Sequence, residues 1–355
     1  MTAPHGKTAR LQYEYPFQPP PEFGSAMEVA PGVLWLRMPL GPPLNWINLW
    51  AIEDADGWTV VDTGMATQES KAHWRALFAG ALGGKPVRRV IVTHMHPDHI
   101  GLAGWLTRKF DCELWITRLE YVTCRMLVAD TGRDAPEAGV DFYRAAGWAE
   151  DAIDKYVERF GGFGHMVSQL PDSFRRLEDG DALDIGGRSW TVVTGNGHSP
   201  DHACLWCEDL NLFISGDQVL PRISSNVSVF PTEPEADPLQ DWLNSCARLK
   251  ARIPAGVLVL PAHNEPFHGL HKRLDALIQG HERSLTRLAE RLEKPHCVTE
   301  LFTTLFARAI DADSLGMATG ETLANLNCLM RRGLVERRRD GGINLYVRKD
   351  AAGPR

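Results

Sequence analysis

The chain has 355 residues, 44% hydrophobic and 23% charged, with a formal charge of −7. That length supports a large core with an appendage, and the acidic balance offers no overall attraction to nucleic acid or to an anionic membrane. Seven scattered cysteines fit a reducing compartment better than a disulfide framework, and no run of about 18 apolar residues reads as a membrane span. The opening residues Met1–Arg10 are polar, so the expectation is a cytoplasmic protein.

In chain order, residues 1–30 are proline-rich and read as a surface arm. A main domain is expected over 31–268. Val33–Met38, Trp46–Ile52 and Trp58–Asp62 are β-like runs, the last two joined by a hairpin turn at Asp54-Ala-Asp-Gly57. A helix from Gln68 to Leu82 stops before Gly83-Gly84. Val90-Ile-Val92 is a short β-branched run that reads as a buried strand. Directly after it, His94, His96, Asp98 and His99 crowd three imidazoles and a carboxylate into six residues. A rigid loop at a strand end can turn such side chains into one crevice, and nitrogen with carboxylate oxygen suits zinc, iron or manganese. A helix near Leu102 and a strand Glu113–Thr117 follow.

Residues 118–170 break the rhythm as a helical insertion carrying Tyr121, Met126, Phe142, Tyr143, Trp148, Tyr156, Phe160 and Met166. Such a stripe serves either as core or as the wall or lid of an apolar substrate pocket. His165, beside the glycines of 161–164, is a candidate to face that pocket. Strands return at Leu183–Ile185, Trp190–Thr194, Ala203–Cys207, Leu212–Ser215 and Gly256–Leu260, with an amphipathic helix over 237–252. Two β-rich, helix-covered halves point to a two-sheet sandwich flanked by helices. Cys204 and Cys207 have CxxC spacing, but they lie in a strand-like run without a second pair and read as core.

Four groups in one loop leave a two-ion site incomplete, so further ligands are expected at strand ends beside glycine or proline. Three places qualify: Thr194–His202 with His198 and His202, Ser215-Gly-Asp217, and Pro261-Ala-His263. Arg222 and Asn226, just after Asp217, are candidates to orient a substrate.

The remainder changes character. Residues 269–295 form a linker helix with Leu274, Leu277, Ile278, Leu285, Leu288 and Leu292 on one face. Residues 296–350 then read as a helix over Glu300–Ile310, a second over Gly320–Arg332, and a hairpin turning at Asp340-Gly-Gly342, the outline of a winged-helix-like unit. The second helix has no basic residue before its last turn, although Arg331, Arg332 and Arg337–Arg339 follow. Nucleic-acid readout needs basic and amide groups on that helix. Packing on the chain's own main domain, or on a second subunit in a homodimer, is the better reading.

The order HxHxDH, glycine-flanked His, Ser-Gly-Asp, and His after an apolar strand resembles the metallo-β-lactamase superfamily over about residues 30–268, in its glyoxalase II and lactonase-like branch. The resemblance implies an α/β (α+β) fold, an αββα sandwich with a dinuclear centre at one edge. It implies His94, His96 and His198 on one metal, Asp98, His99 and His263 on the other, and Asp217 bridging them. The cofactor so implied is two divalent ions, zinc foremost, with iron or manganese as substitutes. Asp62 and His202 correspond to residues that orient ligands, and Asp98 and Asp217 to the carboxylates of the reaction. The tail resembles the winged-helix appendage of a bacterial branch. Asn196 and Asp201 depart from the family's usual proline and glycine, which reshapes the loop around His198. Asp217 in place of a cysteine argues against antibiotic hydrolysis. The expected activity is hydrolysis of an ester, thioester or lactone in a small molecule by a hydroxide shared between two ions. Rivals are a mononuclear-iron persulfide dioxygenase and a nuclease or nucleic-acid-binding member.

Overall fold

The computed structural model describes residues 13–349. The first sheet begins with an antiparallel meander of β1 (Ala26–Ala30), β2 (Val33–Pro39), β3 (Trp46–Asp54) and β4 (Gly57–Val61). Helix α1 (Gln68–Ala79) then crosses over to β5 (Val87–Ile91), parallel to β4. The short α2 (Pro97–Ile100) and α3 (Ala103–Phe110) lead to β6 (Glu113–Thr117), also parallel. After the insertion of α4 (Arg118–Ala129), α5 (Glu137–Ala145) and α6 (Glu150–Arg159), β7 (Arg175–Leu177) completes a sheet ordered β1 to β7.

The second sheet is ordered β13-β12-β11-β10-β9-β8. It comprises β8 (Ala182–Ile185), β9 (Arg188–Gly195), β10 (His202–Cys207), β11 (Leu212–Gly216), β12 (Leu258–Pro261) and β13 (Phe267–His268). Helix α7 (Pro238–Arg252) joins β11 to its parallel neighbour β12. Then come α8 (Leu270–Arg291), the single turn α9 (Phe302–Leu305), α10 (Leu315–Arg331), and the hairpin β14 (Val335–Asp340) and β15 (Ile343–Arg348).

Both faces of each sheet are covered, and strand alternation shows why. In β3, Trp50 and Ile52 enter the core between the sheets, while Ile47, Leu49 and Ala51 pack outward with Trp74 of α1 and Leu106 of α3. In β11, Leu212 and Ile214 face inward and Phe213 faces Trp242 of α7. Trp35 and Trp50 stack inside the sandwich, with centroids 6.3 Å apart, and Trp190 lies in the same core. The result is the expected layering of helix, sheet, sheet and helix.

Some expectations shift. Residues 26–30, given to the surface arm, form β1 at a sheet edge, whereas residues 1–12 of that arm lie outside the described residues. Strands β7 and β13 have three and two residues, too few to leave an alternating pattern in the sequence. The helix expected over Glu300–Ile310 is only a 3-10 turn over Thr299–Leu301 and the four-residue α9. Helix α10 begins at Leu315 rather than near Gly320, and nearly every residue from Ala318 to Leu329 is buried. It packs within the chain: Trp148 Nε1 donates to Thr319 Oγ1 at 2.9 Å, and Asn327 Nδ2 donates to the carbonyls of Pro234 and Ala236. Among the described residues, no helix is long and apolar enough to cross a membrane.

Candidate metal centre

The carboxyl ends of the parallel pairs β4/β5 and β11/β12 open on the same edge of the sandwich. Each strand there ends in a chemically equipped loop: Asp62 after β4, His94–His99 after β5, Asp217 after β11 and His263 after β12. His198 comes from the turn between β9 and β10, and His202 is the first residue of β10. Backbone bonds across the sandwich lock these loops together, Ala203 N to Thr93 O at 2.8 Å and Asn48 N to Ala262 O at 2.7 Å.

His94 Nε2, His96 Nδ1 and His198 Nε2 converge at 2.8, 3.1 and 3.2 Å from one another. His198 Nδ1 donates to the Asn226 carbonyl at 2.7 Å, which leaves a lone pair on its Nε2. Burial, followed by the neighbouring imidazoles, holds His94 well below the ordinary histidine range, and burial lowers His96 to about 3. Three ring nitrogens so placed cannot all satisfy one another with hydrogen bonds; a cation at their centre would.

The neighbouring group differs in electrostatics. His263 Nε2 stands 3.4 Å from both Asp98 Oδ2 and Asp217 Oδ1, and His99 Nε2 lies 3.5 and 3.6 Å from the same two oxygens. Asp217 turns its other oxygen to His198 Nε2 at 3.3 Å, so a single carboxylate faces both groups. Burial opposes charging of His99, but Asp98, Asp62 and Asp217 outweigh it and hold its pKa well above the usual value. Burial would likewise raise Asp217, yet His263 and His99 keep it well below the carboxylate range. His99 Nε2 and Asp217 Oδ1 are nevertheless buried without a hydrogen-bond partner. Orphaned donors and acceptors of this kind at the focus of His and Asp side chains fit metal binding. Among the described residues, three sets can each gather donor atoms around an ion: His94/His96/His198, His94/His99/Asp217 and Asp98/His99/His263.

Asp62 and His202 support this cluster from behind. Asp62 Oδ2 faces His99 Nδ1 at 2.8 Å, and Oδ1 accepts from Thr93 N at 2.8 Å. His202 Nε2 accepts from the Asp217 backbone N–H at 3.1 Å. Two further supports escaped the sequence reading. Glu120, fully buried on α4, accepts from Met95 N with one oxygen and from Ser199 Oγ and Asp201 N with the other, tying both histidine loops together. Asn48 Nδ2 donates to the carbonyls of Pro261 and Asn264, which flank His263. A polar residue at an otherwise apolar position of a buried strand was the available signal for Asn48. Glu120 left none, because an acid in a helix's first turn is ordinary.

Arg222 pairs with Glu265 at 2.8 Å and lies over the Tyr15 ring. The Asn226 side chain donates to Glu321 rather than pointing to the groove, at 3.2 Å. His165 is exposed on the 3-10 turn 162–166. Next to His198 runs a groove of ≈ 680 Å³, walled by Leu119 and Met126 of α4, Met95, Val229 and Phe230, with Arg331 at its rim. Of the insertion's aromatics, Phe142, Tyr143, Trp148 and Tyr156 pack edge-on or tilted against one another instead, and so serve packing.

Fold and site together define a hydrolase of the metallo-β-lactamase type. Residues 47–263 match the Metallo-beta-lactamase superfamily, and residues 285–349 match the Metallo-beta-lactamase-like, C-terminal domain. The chain belongs to this superfamily. It is similar to a beta-lactamase domain protein from Burkholderia ambifaria whose crystal structure superposes with a TM-score of 0.88, at 40% identity over 95% of this chain and 98% of that one. It is 25% identical to the "Probable metallo-hydrolase YqjP" of Bacillus subtilis, over 84% of this chain and 92% of that protein. An acyl-coenzyme A thioesterase of Gallus gallus is 26% identical, over 66% of this chain and 79% of its own length.

Proposed function

We propose that the protein hydrolyses a thioester whose acyl part is partly apolar, with esters and lactones as chemically related substrates. The observation that carries the hydrolytic part is the Asp217 carboxylate, one oxygen toward His198 and the other toward His99 and His263. His94, His96 and His198 would hold one divalent ion, Asp98, His99 and His263 a second, with Asp217 between them and zinc the best match to the donors. Ions held there would polarise the substrate carbonyl and bring the pKa of water toward about 7.

The chain's own residues do the rest. Asp98 and Asp217 offset the positive charge, and Asp98, partly open to solvent, takes the proton of the attacking water. The carbon–sulfur bond then breaks and that proton returns to the thiolate. Leu119, Met126 and Phe230 line the groove and bind the acyl chain. A thioesterase among the similar proteins supports the substrate class. The test is metal stoichiometry followed by a thioester, lactone and aryl-ester panel. Two ions per chain and thioester cleavage abolished by chelation are expected. Full activity after chelation, or one iron with oxygen uptake, would overturn the reading.

A further inference from the structure

The loop that orients His198 is held from its far side by the C-terminal segment. The Asn226 carbonyl accepts from His198 Nδ1. Its side chain is gripped at both ends, Nδ2 donating to Glu321 Oε2 and Oδ1 accepting from Ser228 Oγ. One residue before Glu321, the Gly320 carbonyl accepts from Val229 N at 3.0 Å. A Cβ on Gly320 would stand 2.7 Å from Ser228 Cβ and 3.0 Å from the Val229 carbonyl, so α10 approaches this loop as closely as a glycine permits. The loop's near side is tied to the centre as well, with Ser225 Oγ donating to the Asp217 carbonyl. Glu321 is half-buried on α10, between neighbours that are buried, and its carboxylate accepts from Asn226.

We infer that Glu321 and Gly320 of α10 are positioning residues of the metal centre, acting through Asn226 on the direction of the His198 ring. The inference rests on the metal-centre reading above. An imidazole that ligates a metal is aimed by what its other nitrogen meets, and loss of such partners typically costs about 10–100-fold in metal affinity. The C-terminal segment is then part of the site rather than an attachment to it.

Zn²⁺ affinity, measured by competition with a chromophoric chelator, gives a readout independent of substrate. Glu321→Ala should weaken one of the two ions by roughly 10–100-fold and lower kcat with KM unchanged. Glu321→Gln keeps an acceptor oxygen in place and should bind zinc like the wild type. Asn226→Ala should match Glu321→Ala, and the double variant should lose no more than either single one, because the two act in series. If Glu321→Ala does not fold, Asn226→Ala alone, measured against Glu321→Gln, carries the test. Arg332→Ala breaks the α10–α8 ion pair to Glu282 away from the loop and should leave zinc affinity unchanged. Wild-type affinity in Glu321→Ala and Asn226→Ala, or additive losses in the double variant, would overturn the inference while leaving the hydrolase reading intact. A wild-type protein that binds two ions but cleaves no thioester would overturn only the substrate reading, and one that binds none would overturn both.

Discussion

Asp62 occupies a left-handed backbone conformation, φ 62°, that costs a non-glycine residue about 1 kcal/mol or more. The site uses that geometry to bring the carboxylate under both Thr93 and His99. Asp62→Asn keeps the size but places an amide where one oxygen was, so His99 Nδ1 loses its anionic partner. Zinc binding and kcat should fall about tenfold or more, with a far smaller change in melting temperature, as titration and calorimetry would show. Glu321 offers a prediction in pH. Burial raises its pKa from 4.5 to about 7, against the opposing Asn226 bond. The folded chain therefore keeps a proton that the unfolded chain releases above 4.5. Its stabilising contribution is complete below that value and is lost as pH rises through about 7. Glu321→Gln cannot titrate, so its melting temperature relative to wild type should climb between pH 5 and 7.5; a constant difference would contradict the raised pKa. These residues also show where sequence stops informing. His94, His96, Asp98 and His99 stand out because their spacing is local. Glu120 and Asn48 join loops about 80 and 210 positions away, and no local pattern encodes such contacts.

Helix α4 carries Leu119, Val122 and Met126 on one face, 51%, 53% and 42% exposed, with Phe230, 50% exposed, across the groove. Side chains so open contribute little to folding, which makes their role in binding separable from stability. Met126→Gln and Phe230→Ala should each raise KM for a long-chain acyl thioester about tenfold, a loss of about 1.4 kcal/mol of apolar contact. Neither should move the melting temperature by more than a degree or two, nor alter KM for an acetyl thioester. Equal effects on both substrates would place the acyl chain elsewhere. The sequence marked this insertion as helical and apolar but could not separate Met126, at the groove, from Tyr143 and Trp148, whose rings pack with centroids 4.2 Å apart. Both kinds recur at helical spacing, and only the packing of α5 on α6 and of Trp148 on α10 decides which face meets solvent. The strands around the ligands were legible for the opposite reason, since burial on both faces leaves dense β-branched and aromatic runs.

On the scale of the whole molecule, one apolar cluster runs from Val193 and Phe213 of the second sheet through Trp242 of α7 and Leu274 and Leu285 of α8. It continues to Leu326 of α10 and Tyr346 of β15 without a break. The helical layer of the sandwich and the C-terminal segment thus share one core. Val298, Leu301, Leu326 and Leu329 are each at most 1% exposed, and removing the segment would uncover the faces of α7 and α8 that they cover. At roughly 25 cal/mol per Å², the loss of several fully buried leucines alone equals much of the stability of an ordinary domain. The full chain should therefore melt in a single transition, with fluorescence, far-ultraviolet dichroism and loss of bound zinc coinciding. A chain ending at 295 should be insoluble or bind hydrophobic dye. Two separated transitions, with zinc retained through the first, would mean that the C-terminal segment unfolds on its own and that α10 does not hold the His198 loop in solution.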